Sequence, residues 1–573
     1  MKGREVIVKS LVSEGVKVCF GIPGGQVLDL YDELYVQSDK IRNILVRHEQ
    51  VAAHAAEGYA KASGKTGVCI ATSGPGATNL VTGIADAMLD SVPIVALTGN
   101  VLCHLIGGDA FQETDIVGIT LPITKHNYQI TSIESIPKIF KEAFTIAASR
   151  RPGPVLIDIP KDMQQKELKG TFEYPKKVTM RGYNPEVGGG HPIQIQQAVD
   201  LLMNAERPVI LAGGGVTIAN AAPELTELAL SLNIPVITTL MGKGVFPENH
   251  PLALGMAGMH GHKASNYAIM ECDVLFAIGN RFDDRVAMDI KSFAPNAKII
   301  HADIDSAELG KNVRFDIPIV GDAKLILKAM VKAVGKRKKD GGTLWHKHME
   351  ELKKEGADAD SNVKYDQTPI APERVMKELQ KLIDTMGDGL IYTTEVGQNQ
   401  MWAAHYLRFP NPRMLLTSGG LGTMGSGFPF AIGAKTAKPD KFVLDIAGDG
   451  SFQMTMQDLV TTVKEDLPVT VLILNNGHLG MVRQWQDIFY GHRYSGTVLG
   501  DSPDFIKIAD AYKANGIRVD KPGDIAPALK QAVKSDVTTI IDVHIDPYAH
   551  IVPMVKPGSR IDQMLSSISR PGD

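Results

Sequence analysis

Cysteine is scarce in this chain. Four occur in 573 residues (Cys19, Cys69, Cys103 and Cys272), and no two form a C-x-x-C pair. That excludes a disulfide-built scaffold, and buried free thiols in a reducing compartment are expected. Charge of one sign is missing too. Sixty basic side chains face 64 acidic ones, a formal net charge of −4, so no basic field recommends nucleic acid or an anionic membrane as partner. No apolar run is long enough to span a bilayer. Strand-and-helix patterning begins within the first ten residues, without an Arg- and Ser-rich leader or an apolar signal segment. The expected location is cytoplasmic. No short-period repeat is visible.

What is present is ordinary for a soluble globular protein: 44% hydrophobic and 22% charged residues. The length suggests about three or four domains. Short Val/Ile/Leu runs without clean alternation recur between helical segments, as expected of parallel strands covered on both faces. They are 16–21, 44–46, 68–71, 94–98 and 155–159; then 209–212, 236–239, 274–278 and 298–302; then 390–393, 442–446, 470–474 and 538–543. Three doubly wound parallel α/β sheets are the economical account. Lys166 to Gly190 and Lys336 to Thr368 read as linkers or exposed helix ends. The expected domains are therefore 1–168, 190–335 and 366–550, with 551–573 as a closing segment.

The most informative stretch runs from Gly448 to Asn476. An apolar strand enters Gly448-Asp449-Gly450-Ser451, and a second ends at Asn475-Asn476. Asp449 and Asn476 thus stand at carboxyl ends of parallel strands, the edge where open α/β sheets bind ligands. One carboxylate and one amide oxygen suit Mg2+, which keeps part of its shell for diphosphate oxygens. The glycines let backbone N–H groups come close to those oxygens. A Gly-rich βα turn beside an Asn at a strand end is the plainer account.

This GDG…NN layout resembles the diphosphate anchor of thiamine-diphosphate enzymes. Two further stretches point the same way. Arg47-His-Glu-Gln50 opens a helix after a short strand, and Thr72-Ser-Gly-Pro-Gly-Ala-Thr-Asn79 is a donor-rich loop at the next strand end. From Arg47 through Asp115 the chain closely resembles the acetohydroxyacid synthase (acetolactate synthase) large-subunit family. That resemblance implies that Glu49 bonds to the cofactor's pyrimidine ring and promotes removal of the thiazolium C2 proton. Helix-dipole complementation by Glu49 is the alternative. Gly24 and Gly25 in Phe20-Gly-Ile-Pro-Gly-Gly25, with Thr72, Pro75 and Asn79, would border the same half of the cofactor, and Gln112 of Phe111-Gln112 matches an active-site glutamine. Leu102 stands where the family has a proline in the loop lining its substrate channel, so inhibitor sensitivity is open. The family pairs this domain with the diphosphate domain of a second chain, which implies a homodimer or homotetramer.

In the middle third, Pro208 to Gly215 starts a dinucleotide-type βα unit without the full G-x-G-x-x-G fingerprint. By match, Arg151, Gly213, Gly215, His260, Gly279, Arg281, Asp303 and Asp322 would touch FAD; a spacer with relic loops is the alternative. Asn280 replaces a frequent alanine. Arg285 matches the residue that takes the carboxylate of the second 2-oxoacid, for which a guanidinium fork is suited. A structural ion pair with Asp283 or Asp284 would explain it too.

In the last third, Val396, Gly397, Gln398 and Asn399 match a thiamine-contacting segment, with Asn399 in place of the usual histidine. Gly422 and Met424 match the apolar wedge under a bent cofactor, although methionine fills any irregular core equally well. The third metal ligand would be the backbone carbonyl of His478. Met481 and Trp485 fall in the segment that shapes the acceptor site, where Trp485 as core packing is the plainer reading. Together these matches imply an acetolactate synthase using thiamine diphosphate, Mg2+ and FAD. Such an enzyme decarboxylates pyruvate and transfers the two-carbon unit to pyruvate or 2-oxobutyrate, in branched-chain amino acid biosynthesis. A flavin-dependent pyruvate oxidase, an FAD-independent catabolic synthase and a silent regulatory homologue are the rivals. A separate small regulatory subunit is expected.

Overall fold

Strands buried on both faces need helices on both sides, and the computed structural model shows that arrangement three times. It describes residues 1–339, 342–360, 363–500 and 503–570. The first sheet holds β1 (Val18–Gly21), β2 (Arg42–Leu45), β3 (Gly67–Ala71), β4 (Ile94–Asn100), β5 (His126–Gln129) and β6 (Val155–Pro160), in the order β2-β1-β3-β4-β6-β5. The second holds β7 (Pro208–Ala212), β8 (Val236–Thr238), β9 (Ala253–Met256), β10 (Val274–Ile278), β11 (Lys298–Asp303) and β12 (Ile317–Val320), in the order β12-β11-β10-β7-β8-β9. The third holds β13 (Leu390–Thr394), β14 (Leu415–Leu416), β15 (Phe442–Gly448), β16 (Thr470–Asn475), β17 (Asn515–Val519) and β18 (Thr539–His544), in the order β14-β13-β15-β16-β18-β17. Neighbouring strands in the three sheets run parallel.

Each apolar run named from the sequence overlaps a strand, several with bounds off by one or two residues. Within these three sheets the strands it missed are β5, β9, β12, β14 and β17, and each is a sheet edge. An edge strand has one neighbour and thinner cover, so it needs no unbroken apolar run. His126-Asn-Tyr-Gln129 and Asn515-Gly-Ile-Arg-Val519 show this directly.

The first and third sheets share one topology, a 2-1-3-4-6-5 order in local numbering, whereas the second has the 3-2-1-4-5-6 order of dinucleotide-binding folds. In each case the order reverses between two strands whose carboxyl ends flank a crevice. Those crevices lie between β1 and β3, between β7 and β10, and between β13 and β15.

The first and third domains join along two helices, Glu49–Ser63 and Gly427–Ala437. Their backbones touch. A Cβ on Gly433 would lie 2.0 Å from the Ala55 carbonyl oxygen, and one on Gly58 would lie 2.5 Å from the Phe430 Cα. Apolar residues of both domains merge there into one core that includes Val51, Ala55, Phe428, Ala431 and Phe452.

The stretch Lys336 to Thr368 is more than a linker, because it contains the helix Leu344–Asp360. Trp345, Met349 and Leu352 of that helix are buried against the second domain, and the Trp345 indole N–H donates to the Pro208 carbonyl at 3.2 Å. Residues after 551 also pack on the second domain through Met554, Val555 and Ile561. The four cysteines are unpaired, and burial pushes the thiols of Cys19, Cys69 and Cys272 up to about 12, out of reactive range. Among the described residues no helix is long and apolar enough to cross a membrane.

The backbone contact gives a test. Gly433→Ala is expected to cost about 1–3 kcal/mol by overpacking and to lower the thermal midpoint. Unchanged stability would mean that the two helices are free to move apart.

Candidate active site

The site grows from the crevice of the third sheet. Strand β15 delivers Gly448 and Asp449 to its carboxyl end, and neighbouring β16 delivers Asn476, with Gly448 in register with Leu474. The Asp449 side chain is buried. The Asn476 amide is oriented from both sides. Its Nδ2 donates to Gln398 Oε1 at 3.3 Å, and its Oδ1 accepts the His478 backbone N–H at 3.0 Å. A second lone pair remains on that oxygen. The His478 ring turns back to the Asn476 carbonyl at 2.7 Å. The available donors are therefore hard oxygens, which fit Mg2+.

These groups line one cavity of about 910 Å³. Val396, Gly397, Gln398, Asn399, Gly422, Met424, Gly448, Gly450 and Ser451 share its wall. Gln398 and Asn399 are tied inward as well. Gln398 Nε2 donates to Gln484 Oε1 and to the Ala549 carbonyl, both at 2.9 Å. Asn399 spends both amide hydrogens on the carbonyls of Glu395 (3.1 Å) and Ile446 (2.7 Å), so it pins the turn after β13 to the end of β15.

The same cavity continues into the crevice of the second sheet, where Arg151, Gly215, His260, Gly279, Arg281, Asp303 and Asp322 line it. The glycines there are dictated by contact. A Cβ on Gly213 would fall 2.1 Å from the Gly279 carbonyl oxygen, and one on Gly215 would fall 2.7 Å from the Gly279 Cα. Two βα turns thus meet backbone to backbone at the switch point, leaving room for an extended ligand. Burial pushes His260 down to about 3, with His405 and Arg285 adding to the effect, so its ring is neutral. Burial raises Asp303 to about 6. Arg151 is held by Glu308 at 2.7 Å and Asp305 at 3.2 Å.

Between the two crevices stand Arg285, Met481 and Trp485. The Arg285 guanidinium lies 5.9 Å from the centre of a Trp485 ring, and its ion pair with Asp284 (3.3 Å) is exposed. Asp283 caps its helix through the N–H groups of Arg285 and Val286 instead. The helix Gly480–Phe489 that carries Met481 and Trp485 is anchored by buried Arg483, which donates to the Ala549 carbonyl at 2.8 Å and pairs with Asp487 on the same helix at 3.0 Å. The C-terminal segment binds the same helix. Gln484 exchanges two hydrogen bonds with the Ile551 backbone, and His550 reaches Asp487 at 2.7 Å.

The remaining sequence candidates form a second group on the first sheet and do not line this cavity. Glu49 opens its helix, buried, and Oε2 accepts from Asn79 Nδ2 at 2.9 Å. Thr72 packs against Gly24, Gly25 lies open beside them, and Gly76, following Pro75, faces Glu49 Oε1. Gln112, at a positive φ of 60°, borders Gly74, and neighbouring Phe111 is 86% exposed. One chain therefore presents two separate half-constellations. Leu102 is half-buried in the loop before Cys103–Leu105.

Sequence reasoning overlooked several buried charges. Glu395 accepts the N–H groups of Gly425 (2.6 Å) and Phe428 (3.0 Å), beside Met424. Burial pushes Glu395 up to about 7, and burial together with Glu395 drives Asp445 well above the carboxylate range. A second set, Glu57, Lys61, Asp86 and Asp90, lies between the first and third domains. Charged residues recurring on an Ala-rich helix were its only sequence signal.

Three family models match along the chain: the N-terminal thiamine pyrophosphate binding domain at residues 1–119, the central domain at 195–330 and the C-terminal thiamine pyrophosphate binding domain at 395–543. The chain is 54% identical to the probable acetolactate synthase large subunit of Methanocaldococcus jannaschii, over 99% of this chain and 96% of that one. It is 49% identical to the acetolactate synthase large subunit of Corynebacterium glutamicum, over 98% and 89%. With the isozyme 3 large subunit of Escherichia coli it shares 44% identity over 98% of both. This chain belongs to the acetolactate synthase family of thiamine pyrophosphate enzymes.

In this acetolactate synthase family member the Glu395–Asp445 pair predicts a pH effect. Both groups bind protons more tightly in the folded state, so folding stability is fullest at low pH and declines as pH rises. For Glu395 the window runs from the ordinary 4.5 to about 7. Asp458 at about 6 and Asp86 at about 9 act in the same direction. Urea midpoints should therefore fall from about pH 6.5 to 8, above the range in which neutral, buried His260 and His405 oppose the effect, and less steeply in Asp445→Asn. A rise over that range would contradict tighter proton binding by this pair in the folded state.

Proposed function

We infer that this chain is the catalytic subunit of an acetolactate synthase. It decarboxylates pyruvate and transfers the two-carbon unit to pyruvate or 2-oxobutyrate, in valine, leucine and isoleucine biosynthesis. The observation carrying this reading is the continuity of one cavity from Asp449 and Asn476 to Arg285 and Trp485. An oxidase needs no place for a second 2-oxoacid, whereas a guanidinium beside an indole suits a carboxylate with a short apolar tail.

Thiamine diphosphate, when bound, supplies the electron sink that loss of CO2 from a 2-oxoacid requires. Asp449, Asn476 and the His478 carbonyl would hold Mg2+ and, through it, the diphosphate. Gly448, Gly450 and Ser451 would meet the diphosphate directly, and Val396, Gly397, Gln398, Asn399, Gly422 and Met424 would support the thiazolium side. Glu49 would exchange a proton with the pyrimidine nitrogen, with Asn79 holding its other oxygen. Gly24, Gly25, Thr72, Pro75 and Gln112 would complete that half.

Because Glu49 lies outside the cavity, the reading includes a second copy of the chain, each active site taking Glu49 from one copy and Asp449 from the other. FAD is the proposed occupant of the second crevice, supported by its strand order and touching glycines. A small regulatory partner follows from the large-subunit names of the relatives. The boundaries 1–168, 190–335, 366–550 and 551–573 belong to the same reading, with the last segment as a lid over Trp485.

The purified chain is to be incubated with pyruvate, thiamine diphosphate and Mg2+, with and without FAD, and acetolactate, acetate and acetyl phosphate assayed. Acetolactate that depends on FAD is expected. Acetolactate without FAD would remove the flavin part, and acetate or acetyl phosphate would overturn the acceptor site. Glu49→Gln should lower kcat by about 10²–10⁴-fold with the cofactor still bound. Near-normal turnover in that variant would contradict the proton-exchange role. Asp449→Ala should abolish Mg2+-dependent retention of thiamine diphosphate, and unchanged retention would refute the metal assignment.

A further inference from the structure

The loop Thr417 to Gly425 crosses the cavity wall and carries Met424, yet its near end is held from another domain. Asp90, which closes the helix Val81–Leu89, grips two successive backbone N–H groups of that loop. Gly420 donates to its Oδ1 at 2.7 Å and Gly419 to its Oδ2 at 3.1 Å. Lys61 stands behind the carboxylate. Its ammonium reaches Asp90 Oδ2 at 2.8 Å, Glu57 Oε1 at 2.8 Å and the Thr417 carbonyl at 2.7 Å, over the face of Phe430 at 4.3 Å. Beside it Asp86 Oδ1 accepts the Ser418 hydroxyl at 2.6 Å, and the Ser418 oxygen accepts the Thr423 N–H at 2.9 Å.

Room for this grip exists only because two residues lack side chains. A Cβ on Gly419 would meet Met241 Sδ at 2.4 Å, and one on Gly420 would meet Leu89 Cβ at 2.9 Å. At the far end Gly425 donates to Glu395. Met424 thus rides on a span tied at one end by the first domain and at the other by the third.

We propose that Asp90 is a positioning residue for the reaction: backed by Lys61 and flanked by Asp86–Ser418, it fixes the loop and sets how far Met424 projects into the cavity. The proposal rests on the reading that Met424 supports bound thiamine diphosphate. It also deepens that reading. The helix that presents Glu49 to one active site ends, through Lys61, at the loop of the other. Hydrogen bonds from backbone N–H groups to a buried carboxylate are short and strong, and a buried ammonium is what makes that carboxylate tolerable.

The test is Asp90→Asn, which keeps the volume but leaves one oxygen for two N–H donors and turns an amide N–H2 toward the other donor or toward Lys61. Hydrogen–deuterium exchange is measured first, on the chain without cofactors. The peptide covering 417–425 should exchange at least about tenfold faster, while the helix Gly427–Ala437 stays protected. In the loaded enzyme kcat should fall by about tenfold to a hundredfold, with KM for pyruvate and Mg2+-dependent affinity for thiamine diphosphate within about threefold, since Asp449 and Asn476 are untouched.

Unchanged exchange, or faster exchange with normal kcat, would overturn the proposal. So would a loss confined to cofactor affinity. Should Asp90→Asn fail to fold, Ser418→Ala, which frees the Thr423 N–H, decides the matter by the same readouts. Failure of the unsubstituted enzyme to bind thiamine diphosphate would instead sink the proposed function, and the exchange experiment distinguishes that case.

Discussion

Everything in this molecule is arranged around the contact of two helices, Glu49–Ser63 and Gly427–Ala437, whose backbones meet at Gly433 and Gly58. Such closeness leaves no slack between the first and third domains. It fixes where Glu49 points, because Glu49 opens one of those helices. It fixes the cavity wall too, because Lys61 near the other end of that helix reaches Thr417 and Asp90. Twelve residues of helix separate the two, about 18 Å along the axis. The acid and the cavity are held apart by a rigid rod.

Topology explains why the ligand-facing groups fall where they do. In each of the three sheets the strand order reverses at an interior point, between β1 and β3, β7 and β10, or β13 and β15, and that reversal opens a crevice at strand carboxyl ends. The first and third crevices belong to sheets of identical order, and the candidate residues Glu49 on one side and Asp449 with Asn476 on the other stand at strand ends of those two sheets. The second has the dinucleotide-type order and opens into the third. Arg285 and Trp485, the proposed acceptor residues, come from the second and third domains and meet where those crevices join.

Much of this was legible in the sequence. Interior strands announce themselves because burial on both faces demands unbroken apolar runs. Edge strands such as β5 and β17 escape that demand and were invisible for the same reason. The motif residues around Asp449, Asn476 and Gly279 stood out because glycines beside hard or planar donors have few plain uses. Glu57 and Lys61 did not, since an i,i+4 ion pair on a helix normally marks a solvated face; here another domain covers it. The helix Leu344–Asp360 was hidden by its charge. Its apolar residues Trp345, Met349 and Leu352 recur at helical spacing, but the surrounding lysines and acids suggested an exposed connector.

The central claim is that an active site is assembled from Glu49 of one chain and Asp449 of another. Mixing inactive Glu49→Gln chains with inactive Asp449→Ala chains, after dissociation and reassociation, tests it most directly. Mixed dimers would contain one site with both native residues and one with neither. Recovery of about a quarter of native acetolactate formation in an equimolar mixture, with chains pairing at random, is the result the account predicts. A mixture as inactive as its two components, although the chains have demonstrably exchanged, would place both residues in one chain's site and contradict it.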